Sequence, residues 1–99
     1  MMFKKITYET AKKIIKKEKE CYLIDVRSKQ EYEEEHLNEA INICLYNLER
    51  SIEKEIKNKQ AIIILYCASG IRSKKGKEIL ENMGYKNVYS LKHGISGIN

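Results

Sequence analysis

Three cysteines in this 99-residue chain are each followed at short range by an Arg-Ser pair: Cys21 by Arg27-Ser28, Cys44 by Arg50-Ser51 and Cys67 by Arg72-Ser73. A thiolate held among backbone N–H groups, with a guanidinium near, is an arrangement for nucleophilic chemistry on small anions. The cradle needs several successive N–H groups turned inward, which takes a tight turn, usually a glycine, and preferably a helix start. Cys21-Tyr-Leu-Ile-Asp-Val-Arg27 has no glycine and reads as a buried strand, while Cys44-Leu-Tyr-Asn-Leu-Glu-Arg50 also lacks one and places Arg50 inside a helix. Cys67-Ala-Ser-Gly-Ile-Arg72 differs, because it follows the most apolar stretch of the chain and Ser69 and Gly70 can make the turn.

A free thiol of pKa about 8.5 is only about 3% thiolate at pH 7, and one of about 6.5 is roughly three-quarters thiolate. N–H groups of residues 68 to 72 and the dipole of a following helix would supply such a shift without a histidine. The alternative is that Cys67 is a small buried hydrophobe at a strand end.

The elements that must position this loop read as alternating strands and helices. Phe3 to Ile6 is a first strand; Thr7 caps a helix carrying Tyr8, Ala11, Ile14 and Ile15 on one face. Tyr22 to Val26 is a second strand. Ser28 and Glu31 form a capping-box pattern opening a short acidic helix to about Glu35. Ala40 to Ile43 is a third strand, and Leu48, Ile52 and Ile56 mark the next helix. Ala61 to Tyr66, apolar without alternation, is the expected central parallel strand. After the loop through Arg72, a helix follows with Gly76, Ile79, Leu80 and Met83 on one face, stopped by Gly84, and Val88 to Leu91 is the last strand. This order predicts one α/β domain over residues 1–99 with a mostly parallel sheet, its ligand crevice at the carboxyl ends of the strands.

Charge and composition narrow the classes. The 19 Lys and Arg against 14 Asp and Glu give +5, but the aromatics are not interleaved with the lysines and Glu31 to Glu39 is acidic, so no nucleic-acid partner is expected. No apolar run approaches the ~18 residues of a membrane span and no secretory leader is visible, which predicts a cytoplasmic protein without a membrane partner. An odd number of cysteines without zinc spacing predicts neither a disulfide framework nor a metal site.

Leu23-Ile-Asp-Val-Arg27, Glu31-Tyr32, His36-Leu-Asn-Glu-Ala-Ile-Asn-Ile43, Cys67-Ala-Ser-Gly-Ile-Arg-Ser73 and Val88-Tyr-Ser-Leu-Lys-His-Gly94, in that order, resemble the single-domain form of the rhodanese-like sulfurtransferase family. The resemblance implies a five-stranded parallel sheet flanked by helices and a cysteine, here Cys67, that carries sulfur as a persulfide without a cofactor. Residues Ala68, Ser69, Gly70, Ile71, Arg72 and Ser73 would surround a small anionic sulfur donor, and a small thiol or thioredoxin-like protein would accept the sulfur. The Cys-x4-Arg loop matches the sulfurtransferases, whereas the related phosphatases and arsenate reductases use Cys-x5-Arg; these, and a non-catalytic interaction module, are the competing readings. The family has glycine where this chain has Glu35, Glu39 and His93, proline where it has Cys44, and often a basic residue where it has Ala68.

Arg72 suits two roles, orienting the donor or pairing with a carboxylate such as Asp25. Asp25 and Arg27 read as a structural ion pair, Ser73 as the helix cap, His36 as ordering the loop before the third strand, and Cys21 and Cys44 as packing.

Overall fold

The run Ala61 to Tyr66 does form the centre of the sheet. The structure is a computed structural model that describes residues 5–18 and 20–98. Its strands are β1 (Lys5–Ile6), β2 (Cys21–Asp25), β3 (Ile41–Asn42), β4 (Ile62–Tyr66) and β5 (Asn87–Leu91). They lie in the order β1-β5-β4-β2-β3 and every pairing is parallel, so the sheet is wholly rather than mostly parallel. Phe3 and Lys4, expected in the first strand, lie outside the described residues.

Period-two alternation along β4 sends its side chains into two separate cores. Ile63 and Leu65 pack with Leu48, Ile52, Ile56 and Leu80, against α3 (Leu45–Glu55) and α4 (Ile71–Asn82). Ile64 and Tyr66 pack with Ala11 and Leu91 on the other face, against α1 (Tyr8–Lys17). Residues Ile63 to Tyr66 are wholly buried, which is why this strand can be apolar throughout. Helix α4 lies close on the sheet because Gly76 has no side chain: a Cβ there would stand 3.0 Å from Leu65 and 3.1 Å from Leu48.

The caps follow the sequence in two of the helices. The Thr7 side chain accepts from Thr10 N–H, and Ser28 and Glu31 make both bonds of the capping box that opens α2 (Lys29–Glu34). At α4 the expectation fails: the helix starts at Ile71, Gly70 is the cap residue in a left-handed conformation, and Ser73 is the third helical residue rather than the cap. A 3-10 turn, Ile95–Gly97, closes the described chain. Among the described residues no helix is long and apolar enough to cross a membrane.

The carboxyl ends of β2 and β3 are braced by one buried ion pair. Arg27 Nε lies 3.0 Å and Nη2 2.8 Å from the Asp25 carboxylate, with both residues almost fully buried. Arg27 Nη2 also donates to the Glu35 carbonyl at 2.6 Å, and Asn42 Nδ2 donates to the carbonyls of Asp25 and Arg27 at 3.0 Å each. These bonds satisfy charges that would otherwise be costly to bury.

Candidate active site

Strand β4 ends at Tyr66, and the chain then turns through Cys67, Ala68, Ser69 and Gly70 before α4 begins. Gly70 makes this turn possible, since its φ of +105° is a conformation L-residues rarely adopt. The result is a ring of donors around one sulfur. Gly70 N–H donates to Cys67 Sγ at 3.1 Å, Ser73 N–H donates at 3.3 Å, and the Ser73 hydroxyl lies 3.6 Å away.

Cys67 is 1% exposed, so burial pushes its thiol pKa up. The backbone N–H and hydroxyl of Ser73, then the N–H groups of Gly70 and Ser69, favour the thiolate and outweigh burial, leaving the thiol more acidic than usual. Cys21 shows the opposite balance. Burial and the neighbouring Glu18 push it to about 11, and β2 offers it no such ring.

The two other Cys-to-Arg segments form no comparable loop. Cys21 lies in β2 and Arg27 is spent on Asp25; Cys44 precedes α3 and accepts a long bond from Asn47 Nδ2 at 3.4 Å, and Arg50 is exposed on that helix.

Arg72 is paired, but not with Asp25. Its guanidinium takes both oxygens of Glu31, Nη1 to Oε1 at 2.8 Å and Nη2 to Oε2 at 3.0 Å. Glu31 Oε1 also accepts Ser28 N–H at 2.9 Å, so the residue that opens α2 ties that helix to the catalytic-type loop. Sequence reasoning saw Glu31 as a capping residue and as part of the Glu31-Tyr32 piece of the resemblance, not as the partner of Arg72, because nothing local in the chain links it to a position 41 residues away.

A second missed support comes from the chain after β5. Ile95 N–H donates to the Cys67 carbonyl and Ser96 N–H to the Ala68 carbonyl, both at 2.9 Å. Gly94 lets the two segments approach, since a Cβ there would lie 2.6 Å from the Ala68 carbonyl carbon. Gly94, just before this turn, was a visible signal. A third is Ser90, whose hydroxyl lies 2.7 Å from that of Ser73. Its signal is parity: Val88 faces the α3 and α4 core, so Ser90, two residues on, faces it too.

His36 stacks on Tyr32 with ring centroids 3.8 Å apart and contacts the Tyr32 carbonyl through Nδ1 at 2.7 Å, ahead of β3. Beside the loop, a cleft of about 350 Å³ is lined by Lys5, Ile71, Lys74, Ser90, Lys92 and His93, among others. None of its three lysines has a carboxylate partner among the described residues. No group of acidic, histidine and cysteine side chains among the described residues is arranged to hold a metal ion.

Known proteins resemble this chain in sequence and fold. The pattern described as Rhodanese-like domain matches residues 7–99. A thiosulfate sulfurtransferase, GlpE, of Coxiella burnetii is 36% identical over 91 residues, covering 92% of this chain and 82% of that protein. A solved structure described as a rhodanese with anions from E. coli superposes with a TM-score of 0.68 at 36% identity, covering 75% of this chain and 85% of that one. A thiosulfate sulfurtransferase structure from Pseudomonas aeruginosa shares the fold at a TM-score of 0.85 and 21% identity, over 94% of this chain and 18% of that one.

Proposed function

This chain belongs to the rhodanese-like domain family, and on that premise we propose that Cys67 is the sulfur carrier in its sulfurtransferase activity. The observation behind the assignment is the pair of inward N–H bonds on a buried sulfur, from Gly70 at 3.1 Å and Ser73 at 3.3 Å. They favour a negative sulfur both as nucleophile and as leaving group.

The Cys67 thiolate attacks the outer sulfur of thiosulfate. The S–S bond of the donor breaks, its electron pair departs with sulfite, and Sγ keeps the transferred atom as a persulfide anion. An acceptor thiolate, from a small thiol or a thioredoxin-like protein, then attacks that outer sulfur and Cys67 leaves as thiolate; cyanide can replace the thiol in an assay. The chemistry is ping-pong and uses no cofactor.

The loop backbone of Ala68, Ser69, Gly70, Ile71, Arg72 and Ser73 forms the donor site in this reading. Arg72, forked onto Glu31, fixes the loop rather than holding the donor. Lys5, Lys74 and Lys92 supply the uncompensated positive field that draws an anionic donor to the cleft. Asp25 and Arg27 brace the neighbouring turn. The three free cysteines fit a reducing compartment, the cytoplasm.

Intact-protein mass measurement after incubation with thiosulfate tests the assignment. A gain of one sulfur, reversed by thiol and absent in Cys67→Ser, is expected. No gain, or a gain that survives Cys67→Ser, overturns it.

A further inference from the structure

Ser90 sits on the fourth position of β5, is 2% exposed, and faces the core beneath α4. A hydroxyl buried there must find a partner or lose its hydration without return. Its partner is Ser73 Oγ, at 2.7 Å. We infer that Ser90 is a positioning residue for Cys67, acting through the hydroxyl of Ser73. The inference rests on Cys67 being the sulfur carrier.

Ser73 Oγ is surrounded by three groups: Ser90 Oγ at 2.7 Å, the Gly70 carbonyl at 3.3 Å and Cys67 Sγ at 3.6 Å. A hydroxyl carries one proton and two lone pairs. If Ser73 donates to Ser90, nothing remains for the sulfur, and a Cys67 S–H group is left to donate to Ser73 instead. If Ser90 donates to Ser73, the Ser73 proton is free for Gly70 or for Sγ. A negative sulfur draws that proton more strongly than a neutral carbonyl does. Ser90 as donor therefore completes a relay, Ser90 O–H to Ser73 Oγ and Ser73 O–H to Sγ, that favours the thiolate. The Gly70 and Ser73 N–H groups are fixed by the backbone, so this rotatable hydroxyl is the donor that needs orienting.

The relay serves both halves of the reaction. It raises the thiolate fraction for attack on the donor and supports the same charge when Cys67 leaves the persulfide.

The test is a pH titration of thiolate ultraviolet absorbance, with the matching Cys67→Ser protein subtracted as blank. Ser90→Ala should raise the midpoint by roughly half a unit to one unit, or about 3- to 10-fold less thiolate below it. Ser90→Thr should keep the original midpoint. Ser90→Ala added to Ser73→Ala should move it no further than Ser73→Ala alone, an outcome a merely structural serine would not give. An unmoved midpoint in Ser90→Ala, or an equal shift in the Ser73→Ala background, overturns the inference. If Ser90→Ala does not fold, the isosteric pair Ser90→Thr and Ser90→Val isolates the hydroxyl. Sulfur loading of the unsubstituted protein is measured alongside: its absence defeats the functional reading, whereas the midpoints judge the relay.

Discussion

The Arg72 guanidinium and the Glu31 carboxylate meet as a two-point fork, at 2.8 and 3.0 Å, across the gap between the start of α4 and the start of α2. A cation that would otherwise face the sulfur loop is thereby neutralised and made part of the frame. Arg72, then the Ser28 N–H, holds the Glu31 carboxyl well below its ordinary 4.5, at about 2. A depressed carboxylate binds its proton less readily folded than unfolded, so its stabilisation is complete above about pH 4.5 and is lost as the pH falls toward 2. Both side chains are about a third exposed, so solvent screening reduces the contribution to about 1 kcal/mol. Urea denaturation should show Glu31→Gln less stable by that amount at neutral pH, with the gap closing across this window. A gap of constant size would count against the fork as its origin.

Asp25 and Arg27 form a different kind of pair, with side chains 0% and 6% exposed. Removing one partner strands a buried charge, which costs about 3–5 kcal/mol. Arg27→Met should lower the urea midpoint accordingly, and Asp25→Leu added to it should recover much of the loss. Equal stability of Arg27→Met and the unsubstituted protein would contradict a buried brace.

Much of this frame was legible locally. The β4 run, the four-residue spacing in α3, the Ser28 to Glu31 capping box and the glycine in the Cys67 loop each act within a few residues. What escaped were contacts created by the sheet order. Strand β5 lies beside β4, which brings Ser90 to Ser73 across 17 residues, and α2 rises beside the loop, which brings Glu31 to Arg72. Ser73 reads as a cap from its residue type, but Gly70 with its positive φ starts the helix three residues earlier, leaving the hydroxyl free to approach the sulfur.

The positions where the family has glycine divide in the same physical way. Glu35 has φ −168°, an extended conformation open to any residue, whereas Glu39 and His93 have φ +69° and +64°. The left-handed region costs an ordinary residue about 1–2 kcal/mol, partly offset in a glycine variant by greater freedom when unfolded. Glu39→Gly should therefore stabilise by roughly 0.5–1 kcal/mol, raising Tm by about 2–8 °C for a domain of this size. Glu35→Gly should not stabilise. Thermal melts of the two variants decide the point, and a higher Tm for Glu35→Gly would contradict it.

Lys74 and Lys92 line the cleft beside the loop and lack carboxylate partners among the described residues. On the proposed reading their field would act on an approaching anion rather than on the reacting sulfur. Lys74→Gln with Lys92→Gln should raise the KM for thiosulfate by about 3- to 10-fold with kcat nearly unchanged, and the difference should shrink as salt is added. A fall in kcat at constant KM would place these lysines in the chemical step instead.

Gly94 carries two demands at once. Its φ of +59° and ψ of −157° fall at the edge of a region reserved for glycine, and its α-carbon faces the backbone of Cys67 and Ala68 so closely that a Cβ would lie 2.6 Å from the Ala68 carbonyl carbon. Backbone cannot swing aside as a side-chain tip can, so Gly94→Ala must displace the loop or the turn that holds it. Strain of about 1–3 kcal/mol and overpacking of similar size together predict a loss of about 2–6 kcal/mol. The backbone it presses on, Cys67 and Ala68, leads directly into the Gly70 and Ser73 N–H groups that bond Cys67 Sγ, so sulfur loading from thiosulfate should fall with stability even in the fraction that stays folded. Gly84 provides the control. It also has positive φ, +99°, but a Cβ there meets nothing within 4 Å, so Gly84→Ala carries backbone strain alone. It should cost only about 1 kcal/mol and leave loading intact. Equal loading by the two alanine variants, measured by intact mass at matched folded fraction, would show that the turn after β5 does not shape the sulfur site.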